Sequence, residues 1–175
     1  GSRRPRRPRS RQRRGHRLPP GSELHLIDPF GRHADALPAG WGATEAATRR
    51  TVARALRRRG RDAPTVRWHI APSAEVAAGW PGSAPELVFI DGDHSQAGCE
   101  RDWCDWSALL ASGGTIALHD ARAGQPGGRG LPGPTAVVDR WLRGGLAGEF
   151  AIVAEADRTV LARRSSALSA DTSDK

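Results

Sequence analysis

Two short, wholly apolar runs break abruptly into acids and histidines, and they constrain the fold more than any other feature of the chain. Leu87-Val88-Phe89-Ile90 stops at Asp91-Gly92-Asp93-His94, and Thr115-Ile116-Ala117-Leu118 stops at His119-Asp120. Runs of this length suit strands covered on both faces, as in parallel sheets. Between them, Ser95 is placed to cap a helix whose Cys99, Trp103, Trp106 and Leu110 fall on one stripe, and Gly113-Gly114 ends it. The local order is therefore strand, helix, strand.

The same rhythm extends to both sides. Glu23 to Asp28 is a short strand that meets Pro29. Residues 44–59 follow helical rules: Thr44 caps the start, Thr48, Val52, Ala55 and Leu56 share a face, and Arg57 to Arg59 complement the last turn before Gly60. Thr65 to Ile70 is a further strand, with a short helix over Ala74 to Ala78. After a Gly/Pro-rich stretch over 121–134, a helix over Thr135 to Arg143 directs Val137, Val138, Trp141 and Leu142 inward. Phe150 to Val153 and Thr159 to Leu161 form a closing antiparallel pair across Asp157-Arg158. The expected fold class is α/β: a mostly parallel sheet with helices on both faces, whose ligands bind beyond the carboxyl ends of the strands.

Charge divides the chain. The formal net charge is +8, but residues 1–20 hold nine arginines and no acid, so the other 155 residues carry 8 − 9 = −1. Residues 1–20 are expected to be a disordered Arg/Pro-rich segment, 21–163 the folded domain, and 164–175 a disordered polar tail. Counterion release gives such a basic segment nonspecific affinity for nucleic acid. Lys175 is the only lysine among 27 basic residues and the chain has no Met. That usage fits GC-rich coding DNA, and the segment is expected to be an incomplete or misread N-terminus rather than a dedicated nucleic-acid arm. No stretch approaches the roughly 20 apolar residues of a membrane span, and no signal-like run follows the basic start. Cys99 and Cys104, the only two cysteines, exclude a disulfide scaffold and a four-cysteine zinc site. The expectation is a cytoplasmic protein with free thiols.

Three strands thus end in polar clusters on one edge. An acid after an early strand can accept hydrogen bonds from a ribose, a role open to Asp28, which can equally cap the Pro29 turn. Asp91 and Asp120, on what should be neighbouring strands, can offer hard oxygens to one magnesium, manganese or calcium ion. His94 is then placed to take a proton from a hydroxyl acidified by that ion, while His119 is a further ligand or a polar rim residue. Turn capping competes with each assignment taken alone.

The string Glu86 to Ser95, the pattern Asp102-Trp103 and Asp105-Trp106, and Leu109 to Asp120 resemble class I S-adenosylmethionine-dependent methyltransferases. The likeness is to the small-molecule O-methyltransferase branch that includes macrolide-sugar and catechol enzymes, and it runs from about Glu23 to Arg163. The resemblance implies a Rossmann-like sheet with an antiparallel last strand and S-adenosylmethionine as cofactor. It implies Asp28 as the ribose acid, Ser73 in the adenine-side turn, Asp91 beginning the segment after the fourth family strand, and His94 as general base. Asp91 and Asp120 stand where metal-dependent members hold magnesium, and His119 stands where a second acid or amide is common. The implied acceptor is a small-molecule hydroxyl. The family's first strand and its Gly-rich turn precede the ribose acid and have no counterpart here, so part of the cofactor floor and the partner of two strands are missing. Two other functions use the same residues or the tail: metal-assisted hydrolysis through Asp91 and Asp120, and noncatalytic nucleic-acid binding through residues 1–20.

Overall fold

A computed structural model describes residues 18–31 and 44–166. Readings that fall on 1–17, 32–43 and 167–175, including the fate of the Arg-rich segment, lie outside the described residues. Six strands and four α-helices alternate: β1 (Glu23–Ile27), α1 (Glu45–Arg59), β2 (Thr65–His69), α2 (Ser73–Ala78), β3 (Leu87–Ile90), α3 (Gln96–Leu109), β4 (Thr115–Leu118), α4 (Pro132–Val138), β5 (Phe150–Ala156) and β6 (Thr159–Arg164).

The strands form two sheets. β1 pairs with β2 in parallel, and a second sheet runs in the order β3-β4-β6-β5. β3 and β4 are parallel, while β6 returns antiparallel between β4 and β5. The last strand is therefore antiparallel, as the resemblance implies. β1 and β3 each have a strand on one side only among the described residues. Among the described residues no strand joins the two sheets.

The core is centred on the second sheet. The α3 stripe is buried as its spacing requires, with Cys99, Trp103 and Leu110 each 2% exposed. Trp103 meets Phe150 edge-on at 5.1 Å between ring centroids, a favoured aromatic geometry. α3 lies on β3 between α2 and α4. Ser95 caps it by accepting from the Gly98 amide at 3.1 Å, and the Arg164 guanidinium from β6 donates to the Leu110 carbonyl at its other end. Burial pushes the Cys99 thiol up to about 12, consistent with a packed, inert side chain.

Several boundaries differ from the sequence pattern. α4 begins at Pro132, not Thr135, because proline suits the first turn of a helix, and the segment continues beyond Val138 as one π-helical turn over Asp139–Arg143. β6 extends through Arg164, paired with Phe150 of β5, past the expected domain end. The front differs more. α1 is capped by Thr44 and stopped at Gly60, whose φ of 59° suits glycine, yet none of its residues is buried. Its Arg49 guanidinium lies 4.3 Å from the Trp68 ring centroid of β2. No described helix is long and apolar enough to cross a membrane.

Candidate active site

The carboxyl ends of β3 and β4 are adjacent because the strands pair in register up to Ile90 and Leu118. The residues that follow are brought together: the Asp91 Oδ1 atom lies 2.9 Å from His119 Nδ1, and His94 Nε2 lies 3.6 Å from both Asp91 Oδ1 and Asp120 Oδ2. These latter distances exceed a hydrogen bond. His94 Nε2 is buried with no hydrogen-bond partner, so a polar atom has been desolvated without compensation inside the cluster.

Local chemistry fixes each member. Asp120 takes a positive φ of 50°, which turns the chain sharply at the end of β4; acids tolerate this region better than most residues. Its carbonyl accepts from the Leu131 amide at 2.7 Å. Its carboxylate is 6% exposed as a residue, and Oδ1 accepts from Arg158 Nη1 at 2.9 Å. That leaves Oδ2 facing His94 and His119. The loop carrying His94 is held by α4, where Gly133 packs so closely on the His94 carbonyl that a Cβ there would overlap it. Asp93, the other acid of the motif, does not join the cluster. Its carboxylate accepts from the Ser95 amide and hydroxyl at 2.8 and 2.9 Å, and so shapes the entry to α3.

Ligand atoms from Asp91, His94 and Asp120 all lie within 4.8 Å of one another. Two carboxylate oxygens and one imidazole nitrogen in so small a space fit a divalent cation of the magnesium or manganese type. His119 contacts this set chiefly through Asp91 Oδ1.

Asp28 stands apart, beyond β1 in the other sheet. Its Oδ1 accepts from the Phe30 amide at 2.7 Å, the turn-capping use that its sequence position allowed. Ser73 opens α2, and its hydroxyl accepts from Trp106 Nε1 at 2.7 Å. Ser73, Asp91, Gly92, Asp102 and Trp106 line one cleft of about 950 Å³ between the two sheets.

Two residues with a part in the site were given no role from sequence. Asp102 lies beside Ser73 in the cleft; burial pushes its carboxyl upward, opposed by the Ser73 hydrogen bond, while Asp105 and Asp93 push the same way as burial. Its signal was an acid three residues after Cys99 and four before Trp106, at the edge of an apolar stripe. Arg158 is separated from Asp120 by the whole α4 and β5 segment and carried no signal beyond its place in a hairpin turn.

The parallel β3-β4 pair, its crossover helix and a polar cluster at the strand ends define a Rossmann-like α/β enzyme domain. The profile described as "Methyltransferase domain" matches residues 9–121, and the chain belongs to this family of S-adenosylmethionine-dependent methyltransferases. Among solved structures, the O-methyltransferase NovP is similar over 83% of this chain at 13% identity with a TM-score of 0.54, and the chain spans 60% of NovP. A Klebsiella pneumoniae protein described as a "putative O-methyltransferase" matches over 83% of this chain and 74% of its own length, at 15% identity with a TM-score of 0.52. TomG from Streptomyces achromogenes, an O-methyltransferase of tomaymycin synthesis solved with SAM, matches 82% of this chain and 73% of its own, at 17% identity with a TM-score of 0.49.

Proposed function

We propose that this domain transfers a methyl group from S-adenosylmethionine to a hydroxyl of a small molecule, with a divalent cation at Asp91 and Asp120. The observation that carries this reading is the desolvated, unpartnered Nε2 of His94 held among two carboxylates at the carboxyl ends of β3 and β4. An imidazole nitrogen with no partner in the protein is suited to accept a proton from a substrate hydroxyl, or to complete a metal shell.

In this reading Asp91 and Asp120 hold the cation, which when bound supplies positive charge that favours the deprotonated form of the acceptor oxygen. His94 takes the hydroxyl proton at Nε2. His119 orients Asp91 through its 2.9 Å contact, and Arg158 fixes Asp120 so that Oδ2 faces the cluster. Ser73 and Asp91 border the cofactor, with Asp102 behind Ser73, and Asp28 meets the ribose across the cleft. Methyl transfer needs in-line alignment of donor and acceptor more than covalent participation of the protein, so a cleft flanked by fixed polar groups suits it.

Isothermal titration with S-adenosylhomocysteine, with and without magnesium, tests the reading. Saturable binding supports it, and a folded protein that binds none overturns it in favour of metal-assisted hydrolysis at the same carboxylates. Methyl transfer should cease in excess chelator and return with magnesium or manganese. His94→Ala should lower kcat while leaving cofactor affinity close to that of the parent.

A further inference from the structure

α1 concentrates charge that the rest of the domain lacks. Residues 45–62, which are α1 and the turn after it, hold seven arginines against Glu45 and Asp62, a net of +5. Since residues 21–175 sum to −1, the part of them outside 45–62 carries −1 − 5 = −6. The arginines are also sorted around the helix. At 3.6 residues per turn, Arg50, Arg54, Arg57 and Arg58 fall within about 100° of arc, and all four are exposed. None of them has an ion pair or side-chain hydrogen bond among the described residues. By contrast Arg122, Arg129, Arg140, Arg143, Arg158 and Arg164 each hold a carboxylate. The macrodipole accounts for Arg57 and Arg58 in the last turn, but not for Arg50 and Arg54, which carry the stripe back toward the N-terminus. Like charges four residues apart, as in Arg50 with Arg54 and Arg54 with Arg58, weaken a helix. A bound polyanion would relieve that repulsion.

We infer that this face of α1 is a docking surface for the phosphate backbone of duplex DNA. Guanidinium groups pair bidentately with phosphate oxygens, and the chemistry of the face excludes other polyanionic partners in turn. The large apolar side chains exposed among the described residues are Leu87, Phe89, Leu146 and Val153, none of them on α1. The face therefore has neither the apolar anchor of a protein interface nor the inserting side chains of a membrane-surface helix. Single strands are held by stacking on aromatic rings, and the Trp68 ring of β2 is already covered by Arg49 at 4.3 Å.

What is left is a face that offers charge alone, which suits a partner recognised through its backbone phosphates rather than its bases. Between the two kinds of duplex, the major groove of B-form DNA admits an α-helix, whereas that of A-form RNA is deep and narrow. No residue of α1 lines the cleft between the sheets, so this surface is separate from the proposed cofactor site.

The test uses the full chain with the nine arginines of residues 1–17 changed to Gln, so that binding by that segment does not mask α1. Fluorescence anisotropy with a DNA duplex of about 20 base pairs should show saturable binding. Its log K should fall against log salt with a slope of about −3 to −4, from four contacts at roughly 0.9 each. Adding Arg50→Gln, Arg54→Gln, Arg57→Gln and Arg58→Gln should weaken binding at least tenfold at low salt and flatten the slope by about 3. Helix content should hold, because Gln is nearly as good a helix former as Arg. The pair Arg101→Gln and Arg163→Gln, exposed arginines outside α1, removes as much charge as Arg50→Gln with Arg54→Gln but should leave binding nearly unchanged. No binding before the α1 changes, equal binding after them, or equal losses from the two pairs would each overturn the inference. Tighter binding of polyglutamate, phosphatidylserine vesicles, single-stranded DNA or an RNA duplex at the same salt would overturn it too, and would assign the stripe to that partner.

Discussion

The two sheets of this molecule are built from similar strands but reach different degrees of completion. β4 and β6 contribute five residues that are at most 4% exposed, Ile116, Ala117, Leu118, Val160 and Ala162. β1, β2 and α1 contribute no buried residue. The strands of the front are no less apolar than buried ones: Leu24, Leu26 and Ile27 stand in β1 as Ile116, Ala117 and Leu118 stand in β4. What differs is the number of elements packed against them. A strand acquires a core only when neighbours cover its faces, so amino-acid type sets the capacity for burial and topology sets how much of it is realised.

Paired substitutions across this divide give the largest expected effect. Trp103→Ala in α3 should cost about 3–5 kcal/mol in urea denaturation, whereas Leu24→Ala in half-exposed β1 should cost less than about 1.5 kcal/mol. Similar costs would show that the front shares the cooperative core. Next comes Arg158→Ala, which leaves the buried Asp120 carboxylate without its guanidinium and should cost about 1.5–3 kcal/mol. Asp120→Asn in that background should recover part of the loss, since a neutral amide needs the guanidinium less.

Smaller effects follow from titration. Burial raises the Asp102 carboxyl above its ordinary value of 3.8, so the folded state holds this proton more tightly than the unfolded chain. Stability from this group is therefore highest below the unfolded value and falls as pH rises through the folded one. Asp102→Asn should raise the melting temperature at pH 7 and flatten the profile above pH 4. The smallest effect belongs to the front. Burial, and then the neighbouring His25, lower the His69 pKa below 6.5, which favours the neutral ring. Its contribution should be lost as pH falls through 6.5 toward the lower folded value. Hydrogen exchange at pH 7 and pH 5 should show the loss in β1 and β2 while β4 and β6 hold, if the two regions open separately.

The division was partly legible in the sequence. The strands around Ile90 and Leu118 announced themselves by unbroken apolar runs ending in acids, and the α3 stripe by its spacing. The division into two sheets carried no mark in residue pattern and was expected only through the family resemblance. The cluster of Asp91, His94, His119 and Asp120 followed from placing those strand ends together. Its internal geometry did not: residue type alone does not show that the Asp93 carboxylate closes the turn into α3. Arg158 was illegible because an arginine in a hairpin turn is ordinary, and only the fold reveals which acid lies beneath it. The π-helical turn after Val138 leaves no mark in residue type either.

Arg158 also bears on the order in which the molecule is finished. Asp120 is synthesised well before the hairpin that neutralises it, and β4 acquires its second strand partner only when β6 has followed. Until the hairpin is made, the Asp120 carboxylate lacks the guanidinium that matches it in the finished fold. A nascent chain halted before the hairpin would therefore carry every proposed ligand of the site without the guanidinium that holds Asp120 in place.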